Sequence, residues 1–293
     1  MTPVLAPAGR RALLTWGERE RRDLPWRRTR DPWAVLVSEV MLQQTQVPRV
    51  VPRWRAFLTR FPTVAACAAA PVADVVDEWA GLGYNRRAVA LHRCARACVA
   101  DHGATLPDDL GALVALPGIG PYTARAVLAF AFERDVGVVD TNVGRVLARL
   151  GGAPLRPAAA QAEADGLVPA GEGWAWNQAL FDLGAATCTK RAPTCAECPV
   201  RRWCAWGGAG CPEPDPAVGS AGVSSGQSPF AGSDRQGRGR LVDALRWRGA
   251  VPAAELAAVA GWPGDPGRAR TVAAGLVRDG LAGTDGAGGL VRP

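Results

Sequence analysis

Apolar stretches separated by Gly and Pro run from residue 10 to about 206, a pattern that predicts a series of short helices. Asp31 followed by Pro32 combines an N-cap residue with proline at the first helical position, so a helix is predicted to begin there and to run to about Gln46. Convincing period-2 alternation, the mark of strands, is absent, so the fold class is mostly α. Further helices are predicted at 48–60, 72–80, 86–101, 108–115, 121–132 and 142–150.

This pattern stops near residue 207. Residues 207–235 are rich in Gly, Ser, Pro and Ala, which predicts a flexible linker. Residues 236–293 then contain three short helical segments, followed by "LAGTDGAGGLVRP", which offers two short strands around a Gly-rich turn. Three helices and a hairpin predict a small winged-helix-like module. The predicted domains are therefore a helical domain over 1–206, a linker and a C-terminal module.

The composition excludes a membrane span and favours a polyanionic partner. The 293 residues are 48% hydrophobic, but no apolar run approaches the roughly 18–20 residues that a membrane span requires. The arginine-rich N-terminus is no secretory signal, so we expect a cytoplasmic protein. The net charge of +7 and pI near 9.3 suit a nucleic acid. A GC-rich genome explains the arginine bias equally well, since Lys190 is the single lysine.

Four of the eight cysteines are crowded into residues 188–204. Thiolates this close together can converge on one metal centre from a single loop. Structural zinc sites usually have two pairs of cysteines with a longer spacer, whereas one compact loop at the end of a helical domain suits a [4Fe-4S] cluster better. The predicted ligands are Cys188, Cys195, Cys198 and Cys204, with zinc as the alternative.

The segment "LPGIGPYTA", residues 116–124, lies between two predicted helices. Gly118 and Gly120 allow a tight turn in which backbone N–H groups approach an anion, and Pro121 starts the next helix with its positive end pointing the same way. A helix-hairpin-helix holds a DNA phosphate in this manner without reading the base sequence. The alternative is a turn that merely connects two helices.

Asp140 follows an apolar run in "VGVVDTNVGRVL" and directly precedes a predicted helix. It can serve as an N-cap. Because the N-terminus of a helix stabilises an anion, we also expect Asp140 to remain ionised and able to face a developing positive charge.

The hairpin, the helix that follows it and Asp140 together resemble the helix-hairpin-helix DNA glycosylase superfamily. The cysteine loop resembles that of its iron–sulfur branch. Within that branch "EVMLQQTQV", "GLGYNRRA", "LPGIGPYTA", "VVDTNVGRVL" and "WNQALFDLGAATC" resemble MutY-type adenine DNA glycosylases. The resemblance covers roughly residues 20 to 206. It implies a two-lobed helix-hairpin-helix glycosylase fold that carries a [4Fe-4S] cluster and acts on double-stranded DNA.

The resemblance also assigns roles to side chains near the start of the chain. Glu39 is the catalytic acid. On a helix, Glu39, Gln43 and Gln46 share one face, and the glutamines are expected to contact base edges. Gln44 and Tyr84 are expected to enter the base stack as wedges, although Tyr84 also suits a half-buried turn. The DNA- and base-binding candidates are Gln43, Gln44, Thr45, Tyr84, Leu116, Gly118, Gly120 and Gln178, the last of which also suits helical packing.

The implied reaction releases adenine mispaired with 8-oxoguanine or guanine and leaves an abasic site. Glu39, among apolar neighbours, is expected to hold its proton and Asp140 to be charged. Tyr122 and Asn142 complete the catalytic candidates. Tyr122 stands where the lyase branch, represented by endonuclease III, has a lysine nucleophile, so no dedicated lyase step is expected.

The chain departs from its relatives after the linker. MutY-type proteins carry a Nudix-like domain that recognises 8-oxoguanine, and the C-terminal module is too short for that fold. The strength of the preference for 8-oxoguanine is therefore open. Two rival functions are a glycosylase of the same fold for another lesion, such as a damaged pyrimidine or thymine opposite guanine, and a non-catalytic iron–sulfur protein that only binds DNA. We expect a monomer without membrane contact.

Overall fold

The computed structural model describes residues 5–220 and 229–293 and is mostly helical, as predicted. In this part of the chain the α-helices are, in order, α1 (Pro7–Glu20), α2 (Pro32–Leu42), α3 (Val47–Arg60), α4 (Val64–Ala69), α5 (Val72–Glu78), α6 (Arg86–Asp101), α7 (Leu110–Ala115), α8 (Pro121–Phe130), α9 (Thr141–Gly151), α10 (Pro157–Leu167), α11 (Gly173–Asp182), α12 (Ala205–Gly208), α13 (Asp234–Arg248), α14 (Leu256–Ala260) and α15 (Pro266–Arg278). None of these helices is both long enough and apolar enough to cross a membrane.

Three two-residue strands, β1 (Ala250–Val251), β2 (Gly283–Thr284) and β3 (Leu290–Val291), form one antiparallel sheet in the order β1-β3-β2. The two strands predicted around the Gly-rich turn are β2 and β3, whose register pairs Gly283 with Val291. The third strand, β1, pairs Ala250 with Val291 and was not predicted. Helices α13, α14 and α15 together with this sheet make up the C-terminal module.

The described residues fall into two compact units, each assembled from separate chain segments. The first unit comprises 5–35, 108–111 and 120–220, and the second comprises 36–107, 112–119 and 229–293. Helix α2 begins in the first unit and ends in the second. The candidate site residues are therefore shared between two units, and each is described within its own.

Helices α1, α9 and α11 surround the core of the first unit. Gly17 allows the close approach of α1 to α11, because a Cβ added there would lie 2.6 Å from the Cβ of Ala179. Apolar residues of all three helices are fully or almost fully buried. They include Leu13, Val143, Val146, Leu147, Leu150, Trp176 and Leu180.

The second unit contains a cluster of three aromatic rings. The ring of Phe57 packs edge-on against Phe61 and Trp79, with centroid distances of 5.0 and 6.1 Å. The C-terminal module belongs to this unit: the guanidinium of Arg246 donates to the carbonyl oxygen of Val76 over 2.8 Å, and Arg292 forms an ion pair with Asp77.

The predicted linker overlaps residues that pack into the first unit. Asp215 forms an ion pair with Arg149 over 2.6 Å, and the hydroxyl of Ser220 accepts from the backbone N–H of Leu155. An ion pair and a hydrogen bond therefore hold residues 207–220 in the first unit. The prediction that a flexible linker starts at residue 207 is wrong for this part of the chain. Residues 221–228 of the predicted linker lie outside the described residues, and α13 begins at Asp234.

Candidate functional site

Helix α2 carries Glu39, the predicted acid. The carboxylate of Asp31 accepts from the backbone N–H groups of Trp33 and Ala34 over 3.2 and 3.1 Å, so α2 begins where the N-cap was predicted. Most residues of α2 are buried, and Glu39 itself is only 5% exposed. A carboxyl group at such a position is largely removed from bulk water.

Helix α2 ends four residues earlier than predicted, because Arg87 binds its C-terminal carbonyl groups. The buried guanidinium of Arg87 donates to the carbonyl oxygens of Val40 and Met41 over 2.8 and 3.0 Å, and also to that of Gln43. It thereby caps the helix and draws the chain into a turn. The predicted polar face of Glu39, Gln43 and Gln46 is wrong, since the two glutamines lie beyond the end of α2.

Arg87 also joins this turn to the turn that precedes α6. It donates to the hydroxyl oxygen of Thr45 over 3.1 Å and to the carbonyl oxygen of Gly83 over 3.0 Å. Burial lowers the pKa of Arg87 to about 10, which leaves it charged near neutral pH. The sequence does not single out Arg87, because several other arginines lie close to it along the chain.

Gln44 and Tyr84, the two predicted wedges, share an uncommon backbone conformation. Their φ angles are +58° and +47°, in the left-handed region that costs non-glycine residues energy and is enriched at functional sites. Both line one pocket of about 490 Å³ in the second unit. Gln44 is exposed and Tyr84 half-buried, so both side chains are accessible to a ligand.

The hairpin between α7 and α8 has the predicted turn. Gly118 has a φ of +78°, and a Cβ there would lie 2.7 Å from the Cβ of Ala90. Gly120 has an ordinary φ of −90° and open space around it, so its backbone conformation does not demand glycine. Leu116 is buried beneath the turn. Within the described chain, the N–H groups of Gly118 and Gly120 donate to no acceptor, which leaves them available to an anion.

Asp140 caps α9 as predicted. Its carboxylate accepts from the backbone N–H groups of Asn142 and Val143 over 2.9 and 2.7 Å, and from the side-chain amide of Asn142 over 3.1 Å. Burial nevertheless raises the pKa of Asp140, against the opposing effect of these hydrogen bonds and of the charge of Arg145. The helix N-terminus thus offsets only part of the cost of burying the charge.

One face of α9 connects Asp140 to the cysteine loop. Arg145 donates to the side-chain oxygen of Asn142 over 2.9 Å and to the carbonyl oxygen of Cys188 over 2.8 Å. One turn further along, Arg149 donates to the sulfur of Cys188 over 3.3 Å. Both arginines are buried, so the contacts between the cysteine loop and the residues around Asp140 are shielded from water.

The four predicted ligand cysteines line a single small cavity together with Arg149 and Arg201. Two donors point at sulfur atoms of this set: Arg149 at that of Cys188, and the backbone N–H of Gly207 at that of Cys204, each over 3.3 Å. Donors and cations of this kind stabilise thiolates. In the described residues, no three cysteine, histidine or acidic side chains are set as ligands of one metal ion.

A fifth cysteine lies beside this loop. The sulfur of Cys211 is 3.8 Å from that of Cys195. The buried cysteines Cys67, Cys94 and Cys98 lie in the second unit, as small core residues.

Gln178 and Tyr122 occupy helices of the first unit. Gln178 is buried in α11, where its neighbour Asn177 accepts from the backbone N–H of Val138 over 2.9 Å and donates to the carbonyl oxygen of Val136. Asn177 therefore fixes the extended segment that leads to Asp140. Tyr122 is half-buried in the first turn of α8.

Comparison with known proteins decides the family. A family model described as HhH-GPD superfamily base excision DNA repair protein matches residues 37–170. An adenine DNA glycosylase of Mycobacterium tuberculosis (strain ATCC 25618 / H37Rv) is 48% identical over 244 residues, covering 80% of this chain and 77% of that protein. The chain belongs to the adenine DNA glycosylase family. Another member, from Mycolicibacterium smegmatis, is 44% identical over 275 residues and covers 92% of this chain and 90% of that protein.

The fold of this adenine DNA glycosylase family member is also found in a solved structure. A thermostable thymine-DNA glycosylase aligns with a TM-score of 0.64 and 30% identity, over 68% of this chain and 95% of that one. The predicted helix-hairpin-helix glycosylase fold is thus confirmed, and base excision repair of DNA is the setting in which this family acts.

Within the two units, the structure groups the predicted residues of this family member as follows. The second unit brings together the wedge residues, the hairpin turn and the helix of Glu39. The first unit brings Asp140 and Asn142 close to the cysteine loop through α9. The second-unit residues are Glu39, Gln43, Gln44, Thr45, Tyr84, Leu116 and Gly118; those of the first are Gly120, Tyr122, Asp140, Asn142, Gln178 and the four ligand cysteines.

Proposed function

We propose that the protein hydrolyses the bond between adenine and deoxyribose where adenine is mispaired with 8-oxoguanine or guanine, and leaves an abasic site. The observation that carries the proposal is a pair of carboxyl groups in a chain 48% identical to an adenine DNA glycosylase. Glu39 is buried in α2, and Asp140 caps α9. Each of these two side chains has its own role in the proposed reaction.

The two carboxyl groups act in opposite protonation states. Glu39, kept from water, donates its proton to the leaving adenine, at N7 in our proposal, as the bond from C1′ to N9 breaks. The sugar becomes oxocarbenium-like, and the carboxylate of Asp140 stabilises its positive charge. Water adds to C1′ and returns a proton to Glu39, so that one water is consumed for each adenine released.

The adenine must leave the duplex before it reacts. Rotating a base out of the stack costs a few kcal/mol, and less at a mismatch. The left-handed backbone of Gln44 and Tyr84 supports a role as wedges that fill the vacated space, and the turns that carry them are held by Arg87. Gln178 is the proposed contact for the flipped adenine.

We propose that no dedicated lyase step follows base release. A Schiff base requires a neutral amine near C1′, and the position after the hairpin holds Tyr122. The single lysine, Lys190, is exposed in the cysteine loop. Borohydride should therefore trap no covalent complex with the wild-type protein, and efficient trapping would contradict this part of the proposal. A Tyr122→Lys variant serves as the comparison.

The cysteine loop is proposed to hold a [4Fe-4S] cluster. Four cysteines around one cavity suit a cluster, whose irons hold the sulfurs apart, better than a single zinc ion bonded at about 2.3 Å. Cys188, Cys195, Cys198 and Cys204 would bind the irons, and Arg149 would offset the charge of the thiolates. When bound, the group supplies a covalent tie across the loop 188–204.

Measurement of strand cleavage after alkali, with adenine placed opposite 8-oxoguanine, guanine, cytosine and thymine, tests the substrate. We expect cleavage opposite 8-oxoguanine and guanine. If the protein released thymine or a damaged pyrimidine and left adenine intact, its substrate would be another lesion and the proposal would be wrong. We further propose that the protein acts as a monomer on chromosomal DNA in the cytoplasm.

A further inference from the structure

Three exposed arginines converge on the pocket of Gln44 and Tyr84. Arg86 and Arg93 project from α6, and Arg278 comes from the last turn of α15 in the C-terminal module. All three line the same cavity of about 490 Å³. The pocket is therefore built jointly by the wedge turns, α6 and the C-terminal module, all within the second unit.

Most of the other arginines of the C-terminal module have partners within the protein. Arg238 pairs with Asp279, Arg248 with Glu255 over 3.0 Å, and Arg268 with Asp234 over 2.7 Å; Arg246 lies 3.7 Å from Asp77. Arg240 donates to the carbonyl oxygen of Ala260. These partners occupy the N–H donors and neutralise the charge of most of these arginines, so most of them are not available to bind DNA.

The three exposed arginines that line the pocket differ from these paired arginines, because acidic side chains of the described chain do not balance their charges. They are Arg86, Arg93 and Arg278. Among the residues that the structure describes, none of the three forms an ion pair. The one acidic residue that lines the pocket, Asp279, is paired with Arg238. Three like charges gathered around one cavity repel one another unless an anion joins them, so the arrangement favours an anionic ligand.

The module is fixed firmly enough to hold such a ligand. Arg235 at the start of α13 donates to the hydroxyl oxygen of Tyr84 over 3.1 Å. Arg93 lies against the backbone of Gly280, where an added Cβ would be 3.0 Å from its guanidinium. Tyr84 and Arg93 therefore both contact the C-terminal module directly.

We propose that Arg86, Arg93 and Arg278 bind backbone phosphates of duplex DNA beside the point at which Gln44 and Tyr84 penetrate it. The C-terminal module is then a second DNA-binding element, and Arg278 is its contact. This inference rests on the wedge roles within the proposed function. Arginine forks match phosphate oxygens and carry no base preference, so these contacts add affinity independent of sequence.

The salt dependence of DNA binding tests the proposal. The logarithm of the binding constant falls with the logarithm of salt concentration by about 0.9 for each phosphate neutralised. Removing one contact, in Arg278→Gln or Arg93→Gln, should make the slope shallower by about that amount. The matched control is Arg270→Gln on the same helix, since Arg270 is exposed and does not line the pocket; its slope should equal that of the wild type.

The probe is a duplex with 2′-fluoro-2′-deoxyadenosine opposite guanine, because fluorine at C2′ disfavours positive charge on the sugar and prevents turnover during titration. Slopes of both variants equal to that of the wild type overturn the inference. So does an equal change in Arg270→Gln, which signals a diffuse charge effect. Melting temperatures equal to that of the wild type establish that the variants fold. If only one of Arg278→Gln and Arg93→Gln folds, its slope alone tests the inference.

Single-turnover release of adenine from an ordinary duplex separates this inference from the proposed function. At saturating protein, the control Arg270→Gln should release adenine at the wild-type rate, because Arg270 lies outside the proposed phosphate contacts. A slope change without any adenine release by the wild type leaves the phosphate contacts intact and refutes the proposed reaction. Adenine release with unchanged slopes retains the reaction and refutes the phosphate contacts.

Discussion

Two glycines in the hairpin turn differ in what they contribute. Gly118 combines a positive φ with an Ala90 side chain only 2.7 Å from where a Cβ would stand, whereas Gly120 has neither constraint. We expect Gly118→Ala to reduce the free energy of unfolding by about 1–3 kcal/mol. Gly120→Ala should change it by no more than about 0.5 kcal/mol. Urea denaturation of both variants measures this; equal losses would refute the assignment of the turn.

Asp140 is expected to destabilise the folded protein near neutral pH. Because burial raises its pKa, the folded state binds more protons than the unfolded state between the ordinary aspartate pKa of about 3.9 and the raised value. Stability is thus lost as pH rises through that window. Asp140→Asn keeps an acceptor for the helix cap and removes the charge, so it should be at least as stable as the wild type at neutral pH.

Thermal unfolding at about pH 7 and about pH 4 tests this sign. The advantage of Asp140→Asn should shrink toward the lower pH, at which the wild-type carboxyl is protonated in both states. A stability advantage of Asp140→Asn that grows as the pH falls would contradict the raised pKa of Asp140. Release of adenine by the variant should be largely lost, which separates the stability of the site from its chemistry.

At the scale of elements, Arg87 holds two turns together. Its removal leaves the carbonyl groups of Val40, Met41 and Gly83 without their donor. Each buried acceptor left unsatisfied costs about 1–3 kcal/mol, so Arg87→Met should lose at least about 2 kcal/mol of unfolding free energy. The neighbouring Arg86→Gln, at an exposed position, is the control and should lose less than about 0.5 kcal/mol. Chemical denaturation distinguishes them.

Local signals and long-range contacts explain which elements could be predicted. Asp31 and Asp140 were found because a cap acts on the next few residues. The end of α2 could not be found, because the guanidinium that stops it lies 47 positions further along the chain. Helix α4 has only six residues, and α11 is buried on several faces, so neither shows a clear amphipathic period.

At the scale of the whole molecule, the cysteine loop should determine iron content. We expect about four iron atoms in each chain. Cys195→Ser should lose iron and its broad visible absorbance, because it removes a proposed ligand. Cys211→Ser, whose sulfur lies 3.8 Å from that of Cys195, should retain both. Iron analysis after anaerobic purification tests the ligand set, and iron loss in Cys211→Ser alone would mean that Cys211 is the ligand.

The arrangement of whole segments was the least accessible from the sequence. The C-terminal module was expected to follow a linker as a separate domain, yet Arg246 reaches Val76, 170 positions away, and places the module in the second unit. Composition and spacing could indicate that residues 236–293 form helices and a hairpin. They carry no information about which surface that module covers, because the contacts depend on tertiary packing.

The central claim is that Glu39 delivers the proton that releases adenine. The most direct measurement compares wild-type protein with Glu39→Gln in single-turnover release of adenine opposite guanine, alongside duplex affinity. The account predicts unchanged affinity and a rate of release lower by a factor of roughly 10²–10⁴. Release by Glu39→Gln at the wild-type rate would contradict it.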